Sequence, residues 1–333
     1  MRKSHVATEV RVRNLRPLTS QLRWGGPMGK IFVGICAYNE ENNIGKLLNN
    51  LLNEQALPRN SEIFVVCSGC TDLTPEIVRG FCEKDARVNL IMEDRRRGKA
   101  SALNILFERA MHASILILVN ADALPEIGSI NKLIHPFRDK NVGVTMGRPV
   151  PINEPQGISN HIVHIIWNLH HDISLYKRVK LSSELCALRT SLIEKIPPNL
   201  ATDEPYIEML IRDQGYQIVY MPDAIVNIKG PDNIAGLFKQ RRRIWTGHLQ
   251  IQKTTGFVVS TSKLRNLLPS ILKVASRSDV RKLPYLLLSV ILEISAYLAA
   301  RRVFRTGGIP YKWEPIKSTK NLHWQGPNVR KLK

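Results

Sequence analysis

Long apolar runs are scarce in this 333-residue chain. The single strongly apolar stretch, PYLLLSVILEISAYLAA at 284–300, would make a helix of about 25 Å. That falls short of the roughly 30 Å of a bilayer's hydrocarbon core, and Glu293 near its middle would be costly in lipid. A channel of several spanning helices is therefore not expected. Cysteine is also sparse, with five residues at 36, 67, 70, 82 and 186, an odd number. Only Cys67 and Cys70 form a C-x-x-C pair, so the ligands of a four-cysteine zinc site are missing. No N-terminal segment joins a basic start to an apolar run and a small-residue cleavage site, which points to a reducing, cytosol-facing compartment. Internal repeats and low-complexity tracts are absent. Acidic residues are few, 28 against 48 Lys and Arg, for a formal charge of +20.

Such an excess implies an anionic partner. The first thirty residues hold Arg2, Lys3, Arg11, Arg13, Arg16, Arg23 and Lys30 against Glu9, and the stretch from 301 to the end holds nine basic residues against Glu314. The charge thus gathers in two arms rather than on one basic and aromatic face of a module, which speaks against a nucleic-acid-binding protein.

From Lys30 onward, short β-branched runs alternate with segments of helical period, the pattern of an α/β fold with a mainly parallel sheet flanked by helices. Strands are expected at 31–37, 62–67, 88–93, 114–120 and 143–151, with helices over 41–55, 74–85 and 99–112. A long amphipathic stretch covers 159–176. A helix ending at Gly215 and then a strand follow 204. Ligands of such sheets gather beyond the carboxyl ends of the strands. Chemistry is therefore sought at 38–40, 68–72, 95–99 and 120–122.

Taken in order, CAYNEENNIGKLL, VVCSGCTDLTPEIV, RRRGKASALNILFERA, ILVNADALP, ATDEPYIEMLIRDQGYQIVYMPDAIV and KQRRRIWTGH resemble the inverting, nucleotide-sugar-dependent glycosyltransferases of family 2, whose fold is called GT-A. The resemblance runs from about Ile31 to His248. It implies a nucleoside pocket from Ala37, Tyr38 and Glu40 and from the loop holding Ser68 and Asp72, where the family's usual acidic DDGSTD is replaced by Cys67 to Asp72. The cysteines then fill a nucleoside loop, with Gly69 making the turn and Thr71 or Asp72 capping the next helix. NADA resembles the family's D-x-D motif with Asn120 in place of the first acid. Asp122 is the expected ligand of Mg²⁺ or Mn²⁺, hard ions that lean on substrate phosphates. TDEPYIE resembles the acidic catalytic pair, with Asp203 the first choice and Glu204 the second for general base. Both residues would also suit the first turn of the following helix.

QRRRIWTGH resembles the Q-x-x-R-W motif with Ile244 inserted before Trp245. It offers Gln240 and Arg243 to the diphosphate, Trp245 as a platform for sugar or acceptor, and His248 to the metal. Lys99 or Arg97 is expected near the nucleotide. His161, His164, His170 and His171 lie on a stretch with an apolar helical face, which favours an acceptor-side helix or plain packing over metal binding.

The partners so implied are a nucleotide diphosphate sugar, a lipid-linked or membrane-bound acceptor and an anionic membrane surface. The protein is expected on the cytoplasmic face of the membrane, peripheral, re-entrant or single-span. The chain divides into a basic arm (1–29), the GT-A domain (30–250), a helical, membrane-associated segment (251–310) and a basic tail (311–333). The competing reading is an inactive relative that binds sugar nucleotides without turnover, suggested by the acids lost at Cys67, Ser68 and Asn120.

Overall fold

The computed structural model describes residues 29–322 apart from 155, 177–178, 278–279 and 307–308. The expected N-terminal arm therefore lies, Gly29 aside, outside the described residues, as does the end of the tail. Strands β1 (Ile31–Ala37), β2 (Glu62–Ser68), β3 (Val88–Glu93) and β4 (Ile115–Val119) alternate with helices α1 (Ile44–Asn53), α2 (Thr74–Cys82) and α3 (Lys99–Ala110). All four strands run parallel, with β1 between β2 and β4. Successive residues of β1 feed opposite cores. Ile31, Val33 and Ile35 meet Leu47 and Leu48 of α1, while Phe32 meets Leu103, Leu106 and Phe107 of α3. Burial on both faces explains why these strands read as unbroken apolar runs.

The second half adds β5 (Ala123–Pro125), α4 (Ser129–Ile134), β6 (Val142–Pro151), α5 (Ile158–Leu175), β7 (Leu185–Arg189), α6 (Glu204–Asp213), β8 (Gln217–Ile228), α7 (Ile234–Thr255), α8 (Leu264–Arg277) and α9 (Leu283–Arg305). The sheet order is β3-β2-β1-β4-β7-β6-β8-β5. Strand β7 runs antiparallel to both β4 and β6, and β5 antiparallel to β8. These reversals, which periodicity does not reveal, make the sheet mixed around a parallel half.

The order also demands curvature. Four strand steps separate β4 from β5, about 19 Å in a flat sheet. Three residues, Asn120 to Asp122, join those strands and can reach only about 14 Å. The sheet must curl, and the connection lies on its concave side beyond the ends of β1 and β4.

Helices α5, α7 and α9 pack together around Ile162, Val163, Leu237 and Leu292. Helix α9 runs beyond the apolar run expected at 284–300, because Arg301 to Arg305 continue it, and at 1.5 Å per residue it is about 34 Å long. Among the described residues it is long and apolar enough, by length and composition, to cross a membrane. Leu286, Ser289, Leu292, Ala296 and Ala300 form its buried face, while Leu287, Ile291, Ile294 and Leu298 are exposed. Glu293 faces α7, accepting from Arg241 Nη2 at 3.2 Å and Trp245 Nε1 at 2.8 Å, so its carboxylate is satisfied within the protein.

At the end of β2, Gly69 has φ of +63°, and a Cβ built on it would lie 2.2 Å from the backbone nitrogen of Arg96. Both conformation and space require glycine. Gly69→Ala should cost about 1 kcal/mol or more, read as a lower denaturation midpoint with an unchanged denaturant slope.

Candidate functional site

A cleft of about 480 Å³ opens at the carboxyl ends of β1, β2 and β4. Of the residues expected from the sequence, Ala37, Tyr38, Glu40, Ser68, Lys99, Asn120, Asp122, Asp203, Glu204, Gln240 and Arg243 all line it. The curl gathers them from both halves of the chain.

At its centre Lys99, the first residue of α3, points across at the start of α6. Its Nζ lies 3.5 Å from Asp203 Oδ1 and 3.8 Å from Glu204 Oε1, and donates to Ser183 Oγ at 2.7 Å. Ser183 in turn donates to Glu204 Oε1 at 2.7 Å. Asp203 occupies the N-cap position of α6, yet its side chain makes no capping bond, and its buried Oδ2 has no hydrogen-bond partner. Burial and then the neighbouring Glu204 push its carboxyl up to about 6, against the pull of Lys99. Glu204 moves the other way. Burial works to raise it, but Lys99 and the Ser183 hydroxyl prevail and hold it below the usual carboxylate range. One carboxylate of the pair is thus locked in its charged form and the other sits near neutrality with a free oxygen. Helix α7 presses close beside them: a Cβ on Gly247 would meet Thr202 Oγ1 at 1.9 Å.

A second group of acids surrounds Asp122. Asn120 Nδ2 donates to Glu184 Oε2 at 2.6 Å, which brings into the cleft a carboxylate that no motif announced. Glu184 is pushed up to about 7 by burial and then by Asp122. Glu40 rises to about 7 for the same two reasons, opposed by Lys320 and Asn43. This is the electrostatics of a site with surplus negative charge. No cluster of three His, Cys, Asp or Glu able to hold a metal ion occurs among the described residues. A cation here would draw one or two ligands from protein and the rest from water and phosphate, the habit of Mg²⁺ and Mn²⁺. The donor set fits such an ion.

Three expected residues lie elsewhere. Asp72 is tied up in turn geometry, its Oδ1 accepting from Thr74 N at 3.0 Å and its Oδ2 from Glu41 N at 3.1 Å. Trp245 faces α9, bonded to Glu293 and edge-on to Tyr297. The inserted Ile244 explains this, since one extra residue turns the indole by about 100°, onto the face it shares with Arg241 four residues earlier. His248 lines a separate cavity with Lys180 and Arg241 rather than joining Asp122. The other histidines bond singly, His164 to the Asn153 carbonyl and His171 to the Tyr220 hydroxyl.

The cysteines of the nucleoside loop are free thiols. Cys67 is wholly buried in the core under β1, and Cys70 donates to the Ala37 carbonyl.

Sequence reading missed the outer wall, which is the segment 310–320. Lys320 binds the Glu40 carboxylate and the Tyr38 carbonyl, Trp313 Nε1 donates to the Ala201 carbonyl at 3.1 Å, and Arg96 bonds the Trp313 carbonyl while lying 4.1 Å over the Tyr38 ring. The first part of the expected basic tail thus lies across the cleft. Its composition gave a charge and no address.

Because the pKa of Asp203 is raised on folding, its ionisation opposes folding as pH climbs from about 4 towards 6 and in full above that. Asp203→Asn removes the cost. Chemical denaturation should find this variant more stable than the parent at pH 8, on the order of 2 kcal/mol, with the difference vanishing below pH 4. Equal stabilities at both pH values would contradict the burial of a strained charge.

Residues 32–196 match the family model described as glycosyl transferase family 2. The chain is 25% identical over 227 residues to the probable glycosyltransferase YdaM of Bacillus subtilis (strain 168), covering 64% of this chain and 54% of that protein. It is 24% identical over 241 residues to a poly-β-1,6-N-acetyl-D-glucosamine synthase of Staphylococcus epidermidis, covering 69% and 57%. It thus spans about half the length of these curated relatives. Glycosyltransferase AglE of Haloferax volcanii is 23% identical over 226 residues, 66% of this chain and 73% of that protein. Among solved structures, the mannosyltransferase PcManGT from Pyrobaculum calidifontis, in complex with GDP-Man and Mn²⁺, superposes with a TM-score of 0.60 at 22% identity, covering 83% of this chain and 86% of that one. At that identity the likeness is one of fold, and the fold is GT-A. With the family model matched from β1 through β7 and the motifs in order along the curled cleft, the chain belongs to glycosyltransferase family 2.

Proposed function

We propose that this protein transfers one sugar from a nucleotide diphosphate sugar to a membrane-linked acceptor, with inversion, using Mg²⁺ or Mn²⁺. The carrying observation is the Lys99, Asp203 and Glu204 cluster, which leaves one buried carboxylate oxygen free near neutral pH and facing the cleft. A general base needs that protonation range and that reach. Asp203 takes the proton of an acceptor hydroxyl, while Lys99 and Ser183 keep Glu204 charged and the pair fixed in place.

On the donor side, Tyr38, Ser68 and the Arg96 guanidinium form the nucleoside pocket. Arg243, Gln240 and the neighbouring Arg242 on α7 face the diphosphate, where a guanidinium fork suits phosphate oxygens. Asp122 and the Asn120 amide would hold the divalent ion, with Glu184 behind Asn120, and the ion would supply positive charge to the departing diphosphate. Glu184 returns to the site the carboxylate lost at Asn120, which favours a working enzyme over an inactive relative. The GDP-Man and Mn²⁺ held by PcManGT support this donor class.

We assign the catalytic domain to residues 30–250 and membrane contact to the segment 251–310. Helix α8 likewise exposes Leu268 and Leu272, and Arg301, Arg302 and Arg305 stand at the end of α9 for anionic head groups. Its other face is occupied by α5 and α7, which suits a helix lying on a cytoplasmic membrane surface.

Thermal denaturation with UDP, GDP, CDP and ADP, each with and without Mn²⁺, tests the donor site. One nucleotide at about a hundred times its dissociation constant should stabilise by roughly 2.7 kcal/mol. The stabilisation should require the ion and be lost in Asp122→Ala. In turnover assays Asp203→Asn should lower kcat by about 10²–10⁴ with nucleotide binding retained. Full activity in that variant would remove Asp203 from the chemistry.

A further inference from the structure

Behind the catalytic pair lies a second cavity of about 100 Å³, with room for a few waters or one phosphate group. It shares Glu184, Thr202, Glu204, Gln240 and Arg243 with the cleft, so the two spaces meet along that rim. Its inner wall is built from Lys180, Arg241, His170 and His248, and its outer side from Val163, Ile166 and Leu237 of the α5 and α7 pair.

The wall is more cationic than the fold needs. Arg241 is neutralised by Glu293. The half-buried Lys180 ammonium, its pKa lowered to about 8 by burial and then by Arg241 and raised in part by Glu204, Glu208 and Glu293, has no ion pair among the described residues. Arg243 on the rim faces the donor diphosphate.

The histidines add directed groups. His248 is 5% exposed, and its Nε2 has no partner within the protein. His248 Nδ1 lies 3.3 Å from the Ser262 hydroxyl, and in the tautomer in which that hydroxyl donates, Nε2 carries the proton as an unused donor. His170 Nε2 donates to the Lys180 carbonyl at 3.2 Å, which leaves its buried Nδ1 as an acceptor for a phosphate hydroxyl or a bridging water. One cation without an ion pair and one unpartnered buried histidine nitrogen face a phosphate-sized space that Glu184 and Glu204 also line.

Placement then distinguishes between acceptors. A phosphate brought to Asp203 as the nucleophile would sit against both Asp203 and Glu204, whereas in the second cavity Lys180 and His248 stand beside Glu184 and Glu204, and a neutral sugar hydroxyl at Asp203 meets no such repulsion. We infer that the second cavity binds the phosphate of a lipid-linked glycan acceptor, whose sugar hydroxyl crosses the shared rim to Asp203. This inference rests on the transferase reading above and names its acceptor class: a phosphate-bearing glycolipid in place of a bare polyprenyl phosphate.

The test uses the full chain saturated with the stabilising nucleotide and Mn²⁺, so that the donor cleft is filled. Inorganic phosphate should add a further thermal shift, and a short-prenyl diphosphate-linked hexose should reach half-effect at a concentration at least tenfold lower. Lys180→Gln should weaken both at least tenfold while leaving the nucleotide shift unchanged, and His248→Gln, which keeps a donor, should weaken them less. Failure of the nucleotide shift would sink the transferase reading. A normal nucleotide shift with phosphate competing against nucleotide, or with Lys180→Gln responding like the parent, would sink the second site alone. Equal affinity for free phosphate and the prenyl-linked hexose would overturn the acceptor assignment, as would tighter binding of a short prenyl phosphate that lacks the sugar.

Discussion

Three residues, Asn120 to Asp122, connect the middle of an eight-stranded sheet to its edge, and that short reach forces the curl on which the site depends. Straightened, the sheet would hold its strand ends in a row and leave Lys99 and Asp203 on separate parts of it. Curled, it brings the parallel half, with its loops for a nucleotide, against the antiparallel half, with the start of α6 and the length of α7. The residues of the connection also supply the carboxylate at the turn. One constraint shapes the cleft and places Asp122 at its floor.

Within that frame the charges are arranged by contrast. Lys99 serves two carboxylates in one enclosed space and reaches them with different help, for Ser183 completes Glu204 and nothing completes Asp203 Oδ2. The result is a fixed anion beside a titratable one. Around Asp122 the contrast is reversed, since burial and the Asp122 charge raise both Glu40 and Glu184 against the pull of Lys320 and Lys99. Across the rim Arg241 is paired with Glu293 while Lys180 has no ion pair among the described residues. The proposed cation would sit at the acidic floor and the proposed anion beside Lys180.

Much of the site was legible because its residues follow strand ends. Tyr38, Ser68, Asn120 and Asp122 could be named from the position of apolar runs together with short motifs, since a parallel strand delivers the residue after it to the same edge every time. Asp203 and Glu204 were legible as a pair but not in role, because the N-terminus of a helix welcomes both residues as caps. Only the sight of Lys99 between them separates cap from base. Trp245 was misplaced for a local reason, the extra Ile244, whose consequence is a rotation about a helix axis. Glu184 was invisible, since it lies in an irregular loop with no motif and is drawn in by the Asn120 amide from 64 residues away.

By itself, then, the sequence determined the alternation of strands and helices, the order of the glycosyltransferase motifs and the separation of charge into arms, because these depend on spacing along the chain. The tertiary structure decided what distance along the chain cannot encode. It reversed β7 and β5, turned Glu293 toward Arg241 and Trp245 rather than lipid, laid 310–320 across the cleft and paired one lysine with two acids while leaving another unpaired. Each of these outcomes depends on which groups are within a few ångströms of one another once the sheet has curled, the distance at which hydrogen bonds form and Coulomb attraction is strongest.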